Sequence, residues 1–122
     1  MNQKIAIRIS ALFGLLAVVM GAFGAHALKE TLTRNATAAI WEKAVFYHFI
    51  HAVMLFLLAQ RAPVRRWPFL SFLAGIVCFS GSLYLLSLTN MRWLGAVTPL
   101  GGISFMAGWV CLLWSAGQKP AD

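Results

Sequence analysis

The charges of this chain fall in clusters, and the gaps between clusters are all close to one length. Twenty uncharged residues separate Arg8 from Lys29, 17 separate Lys43 from Arg61, 25 separate Arg66 from Arg92, and 26 separate Arg92 from Lys119. A hydrocarbon core about 30 Å thick takes about 20 residues of helix, rising 1.5 Å each. Each gap is therefore long enough for roughly one crossing. The second is short, but Lys43 can snorkel and its helix can begin earlier, around Ala36. A β-barrel is the other structure that satisfies its backbone in lipid, but it needs alternating apolar and polar residues, whereas these runs are continuous. The reading is an all-α membrane protein, a bundle of four transmembrane helices over about 5–28, 38–60, 67–88 and 98–117. It forms one domain, 1–122.

Composition agrees, with 61% apolar residues and 11% charged ones, well under the quarter typical of soluble domains. The net charge of +7 is spread in ones to threes at the ends of the apolar runs, as membrane anchors are. That pattern is unlike a nucleic-acid groove. With four spans, Lys4, Arg8, Arg61, Arg65, Arg66 and Lys119 share one face. Lys29, Arg34, Lys43 and Arg92 take the other, with Glu30 and Glu42. The positive-inside bias then places both tails in the cytoplasm.

The first run has features of a cleavable signal, because Ala25-His26-Ala27 resembles a small-x-small site; a retained helix is the reading taken. Cys78 and Cys111 fall inside spans and read as small buried hydrophobes, not as a disulfide or a metal pair. Residues 29–39 read as a polar loop, with Thr37 or Asn35 capping the second helix. Trp67-Pro68 opens the third, and Asn90 with Arg92 marks the turn after it. Pro99 is either a kink in a fourth span starting near Trp93 or the first-turn residue of one capped by Thr98. The second is preferred, leaving 93–97 as a short interfacial segment. The glycines Gly14, Gly21, Gly24, Gly75, Gly81, Gly95, Gly101, Gly102 and Gly108 read as packing notches and not as phosphate loops.

Polar side chains inside a bilayer face the bundle or a wet cavity. His48 and His51 share a helical face with Trp41, Ala44 and Leu55. His26 closes the first helix, and all three histidines are expected in the outer half, at a height similar to Glu42, Tyr47, Tyr84, Thr89 and Thr98. Three readings stand beside each other: interhelical hydrogen bonds, a ligand or proton-linked site, and a metal or haem site. For haem the histidine depths do not match, and no cofactor or metal is assigned. The candidate ligand-binding residues are His26, His48, His51, Tyr47, Tyr84 and Thr98, and no catalytic residue is assigned.

Four segments together carry a resemblance. They are Gly21-Ala22-Phe23-Gly24-Ala25-His26-Ala27-Leu28, the second-span set of Trp41, Ala44, Tyr47-His48 and His51-Ala52, Phe79-Ser80-Gly81-Ser82-Leu83-Tyr84, and Thr98-Pro99-Leu100-Gly101-Gly102. They resemble the family called domain of unknown function 423, whose bacterial members are small YgdD-like inner-membrane proteins and which has a eukaryotic relative in transmembrane protein 256. The resemblance covers residues 9–114. It implies a multi-pass protein of the bacterial inner, or plasma, membrane, and no established activity. The leading functional expectation is a non-enzymatic module that binds a lipid, a small ligand or a partner subunit in an outer cleft lined by His26, His48, His51 and Tyr84. A proton-linked transporter or channel and a haem or metal redox protein are the alternatives. The expected partners are the bilayer and a membrane protein or second copy, not nucleic acid.

Overall fold

The computed structural model describes residues 1–118; Lys119, counted above with the cations of the tails, lies outside the described residues. No strand occurs among them. Helix α1 is Gln3–Ala25, α2 Lys29–Arg34, α3 Ala38–Ala59, α4 Arg66–Gly75, α5 Gly81–Thr89 and α6 Thr98–Ser115. A π-helical turn, Ile76–Ser80, joins α4 to α5 in one continuous span, and a 3₁₀ turn, Arg92–Ala96, precedes α6. Four segments are long and apolar enough to cross a membrane: Gln3–Ala25, Ala38–Ala59, Arg66–Thr89 and Arg92–Ser115.

Local chemistry sets the ends. The Asn2 side chain accepts from the Ile5 amide and caps α1, satisfying one of its orphan donors. Asn90 closes the third span in a left-handed conformation, φ 57°, which short amide side chains tolerate. Residues 29–39 depart from the expected loop, since Lys29–Arg34 is helical. Six residues are too few for a periodic signal, yet Leu32 is buried against Trp41, Ala44, Leu83 and Tyr84, and Glu30 and Arg34 have the favourable i, i+4 order.

Two expected caps are corrected. Thr37 does occupy the N-cap position of α3, but its hydroxyl donates to the Ser87 carbonyl at 2.8 Å and makes no side-chain cap bond. The Asn35 side chain donates to that carbonyl too, at 3.0 Å. Thr98 is already inside α6 and makes no cap bond; its hydroxyl pairs with Ser82 at 2.7 Å. Both hydroxyls are drawn from their own helix end to a neighbouring span, where a hydrogen bond is otherwise unavailable in lipid.

Helices α1 and α3 pack along each other, as do α6 and the third span, while α1 and α6 make no extended packing together. The third span is central, with 50% of its apolar window buried against 17% for each outer helix. Notches bring it close to α6. A methyl group on Gly101 would overlap the Phe79 backbone, one on Gly108 the Phe72 ring, and one on Gly75 the Phe105 ring. Gly24 serves α1 in the same way, against the Trp41 indole. Gly14 and Gly81 face open space, and Gly21, Gly95 and Gly102 make ordinary contacts, so these five are not notches of that kind.

Gln3 donates to the Ala59 carbonyl at 3.0 Å, and Arg65 donates to the Ser115 hydroxyl. The start of α1, the 60–65 loop and the end of α6 therefore lie together at a tail end, opposite α2 and Ser87. An apolar cluster fills each end. Ala6, Leu55, Phe69, Phe72 and Phe105 are among the residues at the tail end, and Leu32, Trp41, Ala44, Leu83 and Tyr84 pack at the other.

Candidate functional site

The buried face of α3 is one stripe: Trp41, Ala44, His48, His51, Ala52, Leu55 and Ala59. Steps of three and four residues put these side chains on a common side of the helix. The third span answers with Ser80, Tyr84 and Ser87, all buried. The two rows are stitched by Ser80 to the Ala44 carbonyl at 2.7 Å, Tyr84 to His48 at 2.7 Å, and Thr37 to the Ser87 carbonyl.

Both ring nitrogens of His48 are engaged. Nε2 lies 2.9 Å from the Phe13 carbonyl oxygen, which can only accept, so Nε2 carries the proton. In the neutral ring Nδ1 then accepts from the Tyr84 hydroxyl. His51 has the opposite tautomer. Its Nδ1 donates to the Tyr47 carbonyl at 2.7 Å, and its Nε2 accepts from the Trp109 indole N–H at 3.1 Å. An indole N–H only donates, so that Nε2 is unprotonated and His51 is neutral. Its ring also stacks on Phe105, with centroids 3.7 Å apart.

The expected outer cleft is not what these residues form. His26 is exposed at the C-cap of α1 and does not join the other two. His48 and Tyr84 are paired, while His51 belongs to a second cluster with Trp109 and Phe105. Tyr47 contributes its carbonyl, and its ring packs on Phe79 at 4.7 Å. Thr98 is occupied with Ser82. The depth also needs correcting. His51 is 13 residues from Ala38 but 8 from Ala59, so it lies on the tail side of the span's midpoint. Among the described residues, no buried side-chain nitrogen or oxygen lacks a hydrogen-bond partner. The polar groups thus form a filled seam between two apolar clusters, and a metal or haem would have to displace the partners of each ring.

Sequence reasoning missed the groups that complete the seam: Trp109, Phe105, and the carbonyls of Phe13 and Met20. Only Trp109 left a signal, since an indole N–H within a span must find an acceptor. Met20 accepts from the Trp41 indole at 2.9 Å, and a carbonyl has no signature in sequence.

The open space lies beside the seam. A groove of about 510 Å³ runs between α1 and α3 at the end opposite the tails. Its floor is Gly21, Gly24 and Ala25, with Trp41 and Val45 alongside and Phe46, Phe49 and Ile50 on the far wall. Glu42 is its single ionisable lining residue.

Comparison with known proteins places these observations in a wider set. A family model described as a protein of unknown function, DUF423, matches residues 20–102. The UPF0382 membrane protein YwdK of Bacillus subtilis is 42% identical over 121 residues, covering 93% of this chain and 97% of its own. The UPF0382 membrane protein SH2409 of Staphylococcus haemolyticus is 40% identical over 117 residues, covering 93% and 95%. The UPF0382 inner membrane protein YgdD of Escherichia coli K12 is 38% identical over 122 residues, covering 95% and 92%. No solved structure matches.

Proposed function

The chain belongs to the DUF423 family of proteins of unknown function, and for this multi-pass protein of the bacterial inner membrane we propose a non-enzymatic role: holding a lipid-like amphiphile in the groove between α1 and α3. The groove is the observation that carries this reading. It is apolar over nearly all its wall, open to the bilayer, and has a carboxylate at the end where the headgroup region lies. An apolar tail would lie on Gly21 and Gly24, and a hydroxyl or ammonium head would meet Glu42. A single carboxylate provides no acid and base pair for chemistry on the occupant.

The Cβ of a residue replacing Gly21 would sit 3.5 Å from Val45, an ordinary contact. Gly21→Leu therefore fills the groove without forcing α1 off α3. Protein purified in mild detergent is expected to carry bound lipid, detected by native mass spectrometry, and folded Gly21→Leu is expected to lose it. Wild-type protein free of lipid, or a variant that retains it unchanged, would overturn the reading. A co-purified protein displaced by Gly21→Leu would also overturn it, in favour of a partner subunit.

A further inference from the structure

We infer that a second groove, at the tail end between the start of α4 and the last turns of α6, seats an anionic phospholipid, with its phosphate on Arg65 and Arg66. This groove holds about 560 Å³ and joins two kinds of surface. Arg65, Arg66 and Trp67 form its rim, while Val110, Cys111 and Trp114 form an apolar wall. A phosphodiester with a diacyl tail has the complementary division.

The two guanidiniums are placed and still have donors to give. Arg65 donates to the Ser115 hydroxyl, which ties the rim to α6 and uses one of five N–H donors. Arg66 lies over the Trp67 ring, its central carbon 5.2 Å from the ring centroid. A guanidinium held over a ring face still has N–H donors to offer an oxyanion. Neither finds a carboxylate among the described residues, because Glu30 and Glu42 lie on α2 and near the start of α3, at the far end of the bundle. Arg61, Arg8 and Lys4 share the tail end and add to the positive field that an anionic headgroup would meet. The exposed indoles of Trp67 and Trp114 sit where aromatic residues favour the headgroup level.

The test uses the full chain in nanodiscs, with phosphatidylglycerol and phosphatidylcholine competing and retained lipid read by native mass spectrometry. Wild-type protein is expected to prefer phosphatidylglycerol by about tenfold, a preference that Arg65→Gln with Arg66→Gln abolishes. Lys4→Gln with Arg8→Gln removes equal charge from the same face outside the groove, and is expected to keep most of the preference. Val110→Trp keeps both arginines and fills the apolar wall from a lipid-exposed position, and is expected to lose the retained lipid. Equal losses in both charge pairs, an unaffected Val110→Trp, or no preference in wild type would overturn the inference. So would efficient Cys111 cross-linking between two copies, since the groove would then be a protein interface. Gly21→Leu leaves this groove untouched, so failure of one site does not imply failure of the other.

Discussion

His48 and His51 are three residues apart on one helix, yet their surroundings assign them opposite neutral tautomers. Nitrogen-15 chemical shifts of protein labelled at histidine are expected to show a protonated Nε2 at His48 and a protonated Nδ1 at His51. Matching tautomers would mean that the Phe13 or Trp109 partner is wrong. Tyr84→Phe leaves Nδ1 of His48 without its donor, and Trp109→Phe does the same to Nε2 of His51. Each is expected to cost about 1 kcal/mol in unfolding assays, the usual scale for interhelical hydrogen bonds in membranes. The α3 stripe from Trp41 to Leu55 was readable from spacing alone, because period fixes which side chains share a face. The partners across the seam were not readable. Period does not say which helix lies opposite, and most of the acceptors are carbonyls.

At the scale of elements, charge-free runs located the spans, and failures came where a polar side chain had two uses. Thr37 and Thr98 have the composition of caps, but each bonds across to the third span. The glycines divide in the same way, since sequence marks them all as small but only contact shows which are pressed. Gly101→Ala is expected to destabilise by about 1–3 kcal/mol, the range for an overpacked contact, and Gly102→Ala by less than about 0.5 kcal/mol. Equal effects on thermal unfolding in detergent would deny the close approach of α6 to Phe79. The π turn Ile76–Ser80 gave no warning in sequence. It holds one residue more than a regular helix, and one residue is about 100° of rotation. The turn lets the first half of the span press Phe72 and Gly75 on α6 while the second presents Ser80, Tyr84 and Ser87 to α3. Deleting lipid-exposed Val77 removes that extra residue, so it is expected to regularise the helix with Tyr84 still against His48, whereas inserting an alanine after Val77 is expected to cost more stability in thermal unfolding.

For the whole molecule, four spans put the start of α1 and the end of α6 at one end, and the arginines of the 60–65 loop beside them. Reporter fusions at either tail are expected to report the cytoplasmic side, and a fusion within α2 the opposite one. Tails on different sides would break the four-span architecture. Five cations occupy the tail end of the described chain. The far end has four cations and two carboxylates, so the ends differ by three charges. A respiring bacterium keeps its interior negative by on the order of 100 mV, and each elementary charge crossing that voltage is worth about 2.3 kcal/mol. Turning the protein over would drive a net three charges uphill, about 7 kcal/mol. An energised membrane thus acts as a latch on orientation, and the latch loosens whenever the cell's voltage collapses.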